Sequence, residues 1–358
     1  MNHGGSIRGN LEMKAALLYQ DDPILRIQDI ETPVPGDGEA LLRVEATGLC
    51  RTDLKLMHGF LRPKSYPHVL GHEIAGKVID SKPNGAIDRG ILGKVSQSGG
   101  KVLVYPDVGC GHCSFCLEGR MNLCAYLRRP GFEFYGGFAE YVKVPIRNLI
   151  ASSLGREAAI LTDAGAVMLH ALRKARLQPG MRVVIAGVGG LGTMAVQLVK
   201  LFGCDAIALD IDDAKLSYAS ELGAHSSMNI KGASSDEIRE RVTANTSGKL
   251  VDLFIDLVGN GSNQGIALNL LAHDGKLLQI GYSDATLGDI PLKDVVYHEL
   301  QVIGSLACSI NDLNDVMDLT QRELLRLNVT KVYNLNEINS AVQDLEQNKI
   351  TGRSIVVP

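Results

Sequence analysis

The chain has 358 residues, more than one hydrophobic core usually serves, so two domains are expected. Its 45% hydrophobic and 21% charged content is that of an ordinary globular protein, while a net charge of −4, the absence of Trp and the lack of a basic tract exclude a nucleic-acid face or polybasic membrane segment. No run approaches the ~18 apolar residues of a membrane helix and no signal peptide opens the chain, so a cytoplasmic protein with neither membrane nor nucleic-acid partners is expected.

Met1 to Glu12 is polar and glycine-bearing, and reads as an early start or an unstructured arm, with an ordered intersubunit arm as the alternative. Met13 to Leu17 begins a strand. Ala40 to Ala46 and Ala139 to Val144 read as further strands in a glycine- and proline-rich first third. Glu157 to Ala175 is helical in composition and ends before the Pro179-Gly180 turn. Strands and helices then alternate. Val183 to Ala186, Ala206 to Asp210, Val251 to Val258 and Lys276 to Ile280 are strands. Thr193 to Phe202, Ala214 to Leu222 and Gln264 to Leu271 are the helices among them. This alternation predicts an α/β unit, a parallel sheet covered by helices on both faces. Asp312 to Leu319 is an amphipathic helix and Ser354 to Val357 a last strand. The economical architecture is a β-rich domain interrupted by a dinucleotide-binding domain, to which the C-terminus returns.

Gly187-Val188-Gly189-Gly190-Leu191-Gly192 fits G-x-G-x-x-G. The motif is weak alone, but here it follows an apolar strand and opens a helix. The first glycine serves the turn, the second the approach of backbone to a pyrophosphate, and the third helix–strand packing. The helix N-terminus offers its unpaired N–H groups to phosphate. Asp210, eighteen residues past Gly192, ends the next strand, where a carboxylate accepts the ribose hydroxyls of NAD and repels the 2′-phosphate of NADP. Asp210, Asp212 and Asp213 otherwise serve only to cap the following helix. Lys215 touches the same ribose or is an ordinary exposed helix lysine.

Seven cysteines are an odd number, and four of them, Cys110, Cys113, Cys116 and Cys124, lie within fifteen residues. Four thiolates so close can close a tetrahedron on Zn²⁺ with no open position, a structural site. An iron–sulfur cluster or disulfides are the alternatives. His112 reads as a bystander in this lobe, and Cys204 and Cys308 as small buried hydrophobes.

Taken in order, C-x-T-D at Cys50, G-H-E at Gly71, the four-cysteine lobe, Gly136 to Tyr141, the glycine fingerprint and Gly352-Arg353 resemble a zinc-containing medium-chain alcohol dehydrogenase. The resemblance runs over essentially all of the chain after Met13. It implies a GroES-like β-rich catalytic domain over residues 13–164 with a zinc lobe at 109–125. A Rossmann doubly wound parallel sheet over 165–303 and a return to the catalytic domain over 304–358 follow. It also implies NAD, one catalytic and one structural zinc, and a homodimer or homotetramer with Ile290 to Leu306 as candidate interface.

Carried over by residue, the resemblance makes Cys50 and His72 ligands of the catalytic zinc. The family's third ligand is commonly cysteine, and Asp163 occupies its place here, either as ligand or as helix N-cap. Glu73 is expected to enter the coordination sphere transiently, Asp53 to fix the ligating imidazole, and Thr52 to pass the alcohol's proton on. Arg51 and Arg353 match positions that contact the pyrophosphate, and Val258 joins the cofactor-binding set. Lys55 stands where many relatives carry a relay histidine, and Val167 where many carry threonine.

The implied reaction is reversible hydride transfer from a primary or secondary alcohol, with polyols and sugars among the candidates, to NAD. The alternatives are a zinc-free quinone or enone reductase of the same superfamily and a catalytically silent NAD-binding protein. Quinone and enone reductases lack the cysteine lobe and the Cys–His pair.

Overall fold

The computed structural model describes residues 12–288 and 290–358. The expected N-terminal arm lies outside them, except Glu12, which opens the first strand. The chain divides into two compact units. The first takes the residues up to Asp163 with Ser309–Gln321 and Val329–Pro358; the second takes Ala164–Cys308 and Arg322–Asn328. Residues 304–308 and 322–328 thus group with the second unit, where the sequence reading assigned all of 304–358 to the first.

The first unit is built on a seven-stranded sheet and a three-stranded one. Its central strand, Glu39–Leu49, begins one residue before the expected Ala40 to Ala46 and runs three residues past it, ending next to Cys50. Two register shifts, between Leu41 and Leu42 and between Val44 and Ala46, bend it as bulges do. Ala40, Leu42 and Val44 pack with Ile74, Val102, Val104, Val142 and Val144 into one core cluster. Glu73–Lys82 pairs antiparallel on one side of this strand, setting Glu73 opposite Gly48. Arg353–Val357 pairs on the other side, setting Ile355 opposite Gly48. Three neighbouring strands therefore bring the C-terminus, residue 48 and residue 73 together, though they lie far apart in sequence.

The second unit is a six-stranded parallel sheet ordered Ser226–Asn229, Asp205–Asp210, Arg182–Ala186, Val251–Asp256, Leu271–Gln279, Gln301–Gly304. Numbered within the unit, that order is 3-2-1-4-5-6, the doubly wound arrangement of dinucleotide-binding folds. Val184, Ile207, Leu209 and Phe254 form its core with Ile238 and Val242 of the helix Ser235–Asn245 and Ala267 and Leu270 of Asn263–Leu270. Helix Ser235–Asn245 escaped the sequence reading because it is strongly polar, although Ser234 and Glu237 form a capping box at its start.

The predicted helix Glu157 to Ala175 is two elements. A 3-10 helix, Arg156–Thr162, ends at Asp163, and an α-helix, Ala164–Lys174, follows. Asp163 has φ −120° and ψ −81°, outside helical values, and this break turns its side chain out of the helical run. Among the described residues no helix is long and apolar enough to cross a membrane.

Candidate active site

Cys50 ends the central strand region and caps the short helix Arg51–Met57. Its Sγ lies 3.5 Å from Thr52 N, while Asp53 Oδ2 accepts from Cys50 N at 2.9 Å, a capping box that fixes the cysteine in place. Asp53 is fully buried, and its other oxygen, Oδ1, lies 3.4 Å from His72 Nδ1. One carboxylate therefore holds both the cysteine loop and the imidazole. That leaves Nε2 as the ring nitrogen open to a metal.

The ligand-type atoms of Cys50, His72, Glu73 and Asp163 all lie within 4.8 Å of one another. Cys50 Sγ stands 3.3 Å from Asp163 Oδ2. Asp163 is thus engaged with the cluster through its side chain. Arg353 is 4% exposed; its guanidinium bonds Glu73 Oε1 and lies 3.8 Å from Asp163 Oδ2. The resemblance implies a pyrophosphate contact for Arg353, whereas here its charge serves the buried carboxylates.

Burial dominates the electrostatics. It pushes the Cys50 thiol up, with Asp163 adding to the shift, and it raises Glu73 to about 8 against the pull of Arg353. Burial is the largest influence on His72 and Asp163 and opposes the charge of each. Asp53 and Cys50 together outweigh it for His72, which is raised, and Arg353, His72, Glu73 and Cys50 together outweigh it for Asp163, which is lowered. Glu73 Oε2 is buried without a hydrogen-bond partner, and Asp53 Oδ1 and His72 Nδ1, also buried, have only their 3.4 Å approach to each other. Several anionic donors crowded around one point with a single arginine lack a cation. A divalent metal would supply it and favour the thiolate and neutral imidazole.

The four lobe cysteines form the second such group, with sulfurs again within 4.8 Å of one another and none in a disulfide. A tetrahedral zinc with ~2.3 Å bonds requires sulfurs about 3.8 Å apart, and Cys110 and Cys116 stand at 3.9 Å. Backbone N–H groups point at sulfur: Cys110 N to Cys124 Sγ at 3.3 Å, and Cys113 N to Cys110 Sγ at 3.4 Å. The His112 N–H and such neighbours lower Cys110 to about 6. His112 itself is exposed, its Nδ1 3.1 Å from Cys110 O, and stays outside the group.

In the second unit Gly187 closes the strand Arg182–Ala186, Gly189 is the N-cap of helix Gly190–Leu201, and Leu191 is half-buried in its first turn. A Cβ on Gly192 would stand 2.2 Å from Gly187 O, so only glycine lets the helix approach the turn. Around Gly189 there is open space, as a phosphate would need. Asp210 Oδ2 accepts from Val188 N at 2.8 Å and Oδ1 from Ile211 N at 2.7 Å, tying the end of its strand to the glycine turn. Capping of the next helix falls instead to Asp212, which accepts from Ala214 N. Lys215 is buried rather than exposed, and Val258, 46% exposed, flanks Gly187.

Thr52 is half-buried in the first turn of Arg51–Met57, and Arg51 reaches Asn348 Oδ1. Lys55, half-buried, holds its ammonium 5.8 Å from the Phe60 ring centre. Val167 is buried in Ala164–Lys174. One feature beside the cluster escaped the sequence reading altogether. Phe132 sets its ring edge-on to His72 at 5.6 Å, and Arg129, paired with the buried Asp107, stacks on Phe132. No motif links these three positions.

Known proteins carry the same two units. An alcohol dehydrogenase GroES-like domain family matches residues 36–153, and a zinc-binding dehydrogenase family matches residues 190–322. The chain is 34% identical to an NAD-dependent alcohol dehydrogenase of Sulfolobus acidocaldarius, over 96% of this chain and 99% of that protein. It is 31% identical to a D-arabinose 1-dehydrogenase (NADP(+)) of Saccharolobus solfataricus, over 97% and 98%. It also resembles the crystal structure of the alcohol dehydrogenase from Aeropyrum pernix, with a TM-score of 0.83, 31% identity and coverage of 96% and 100%. A GroES-like unit bearing a Cys–His–carboxylate cluster, in one chain with a dinucleotide fold, is that of an alcohol oxidoreductase. This chain belongs to the zinc-type medium-chain alcohol dehydrogenase family.

Proposed function

We propose that the protein is a zinc- and NAD-dependent alcohol dehydrogenase that reversibly oxidises a primary or secondary alcohol to an aldehyde or ketone. The observation that carries this reading is the convergence of Cys50, His72 and Asp163 within one buried 4.8 Å cluster. Sulfur, nitrogen and oxygen donors suit zinc, and two anionic ligands neutralise a divalent ion while leaving a fourth position for substrate. Bound there, zinc supplies the Lewis acidity that eases deprotonation of an alcohol and polarises the carbonyl in reverse. Asp53 orients His72 and Arg353 balances Glu73, which is poised to approach the metal transiently. Thr52, two residues from Cys50, accepts a hydrogen bond from the substrate hydroxyl and passes its proton on toward solvent. Cys110, Cys113, Cys116 and Cys124 hold the structural zinc.

For the cofactor, the N–H groups at Gly189, Gly190 and Leu191 face the pyrophosphate, between Gly187 and Gly192. Asp210 receives the ribose hydroxyls, with Lys215 and Val258 beside them, and Arg51 is the phosphate-facing cation. We also assign a homodimer or homotetramer joined through the edge strand Gln301–Gly304. Leu292, Val296 and Tyr297 nearby in sequence are 81%, 70% and 72% exposed, an apolar surface suited to a second copy.

Metal analysis and kinetics test this. About two zinc ions per chain are expected, with alcohol oxidation lost in His72→Ala and Asp163→Ala while folding and NADH binding persist. A single zinc supports the silent NAD-binding form and none the quinone reductase. Full activity in Asp163→Ala would overturn the third-ligand assignment.

A further inference from the structure

Beside the metal cluster lies a charged pair that the proposed chemistry does not use. Asp107 follows the strand Lys101–Val104, and its backbone carbonyl accepts from Asn148 Nδ2 at 3.1 Å. Its side chain is 0% exposed. Oδ1 accepts from Arg129 Nε at 2.6 Å, but Oδ2 is buried with no hydrogen-bond partner among the described residues. The Arg129 guanidinium carbon lies 5.6 Å from the centre of the Phe132 ring, whose edge-on contact with the His72 ring is also 5.6 Å. Asp107 is therefore one ion pair and one ring away from a ligand of the metal, and it senses the charges of Asp163 and His72.

A buried carboxylate with one oxygen unmatched is costly, and the chain has evident means of avoiding it, since an apolar residue there would need no partner. Arg129 already balances the charge. What Oδ2 lacks is a hydrogen-bond donor, and the hydroxyl of a substrate is one that meets the need without adding charge. An aliphatic alcohol brings only the hydroxyl that reacts, which the metal site occupies. A polyhydroxylated molecule brings others.

We infer that Asp107 receives a hydroxyl of the substrate other than the one oxidised, so that the substrates are polyols or sugars rather than simple aliphatic alcohols. This rests on the alcohol dehydrogenase reading and deepens it. Arg129 holds the Asp107 carboxylate in place, and Phe132 forms the apolar wall between it and His72. A site built to hydrogen-bond a substrate hydroxyl discriminates against the analogue lacking it, because a buried polar group is then left unpaired.

The test compares pentitols and aldopentoses with 2-pentanol on the zinc-loaded enzyme with NAD. The wild type is expected to prefer at least one polyhydroxylated substrate in kcat/KM. In Asp107→Asn, where an amide donor can replace the unmatched acceptor, the ratio of that kcat/KM to the value for 2-pentanol should fall about 10- to 100-fold. The double variant Asp107→Leu/Arg129→Met leaves no unpaired charge and supplies the same measurement if the single variant folds poorly. Zinc content and thermal midpoint verify the folded state of each. A wild type that prefers 2-pentanol, or a ratio within about threefold of wild type in both variants, overturns the inference while leaving the alcohol dehydrogenase reading intact. A wild type inert toward every alcohol, with two zincs bound, overturns that broader reading and this one with it.

Discussion

Gly48 lies directly opposite Glu73 in the antiparallel pairing of their strands, and a β-carbon on Gly48 would stand 2.0 Å from Glu73 Oε2. The glycine is what lets a buried carboxylate occupy the middle of a sheet and meet Arg353. Gly48→Ala must push Glu73 aside and loosen its pair with Arg353. We expect a loss of about 2–3 kcal/mol in urea unfolding. A folding free energy equal to that of the wild type would show that the strand pair can absorb the methyl group and that the close approach is not structural.

Asp53 divides its two oxygens between Cys50 N and His72 Nδ1. Asp53→Asn keeps an acceptor for one of them but loses the charge that favours His72 as a ligand. Metal affinity at the cluster should fall about 10- to 100-fold, measured by chelator competition, while the lobe zinc is retained. Equal loss from both sites would indicate unfolding, and no loss would remove Asp53 from the support of His72.

Much of this was legible in the sequence where function depends on short spacings. The four lobe cysteines and the glycine turn are local, so their spacing alone sets which backbone N–H groups and sulfurs can meet. Cys50 and His72 were legible through motif resemblance. The role of Arg353 was not, because it depends on three strands being neighbours. The break at Asp163 was hidden for another reason: the flanking residues are all acceptable in a helix, so composition predicts one continuous element. Asp107 and Arg129 are separated by the entire lobe, and only tertiary packing joins them. That Arg322–Asn328 groups with the second unit after the chain has left it at Cys308 has no signature in hydrophobic periodicity.

Asp210 ties its strand end to Val188 N through Oδ2, so truncation would damage the glycine turn as well as the ribose contact. Asp210→Asn keeps an acceptor while removing the negative charge that repels a 2′-phosphate. The ratio of kcat/KM for NADP to that for NAD should rise about tenfold or more, which is at least ~1.4 kcal/mol of changed discrimination. An unchanged ratio would assign cofactor choice to another residue.

His68 supplies a pH test away from the metal ligands. It is 1% exposed on the two-residue strand His68–Val69, with its ring edge-on to Tyr135 at 5.4 Å. Burial holds it down to about 4, against 6.5 for a free histidine. The folded state therefore keeps the ring neutral where the unfolded chain binds a proton. The stability tied to the neutral ring is complete above pH 6.5 and is lost progressively as pH falls toward 4. Between pH 7 and 5 this amounts to about 2 kcal/mol. His68→Leu removes the titrating group and keeps an apolar side chain in the same space. Its unfolding free energy should fall less than that of the wild type over this interval, by about that 2 kcal/mol. Parallel curves for the two proteins would mean that His68 accepts a proton in the folded state as readily as in the unfolded one.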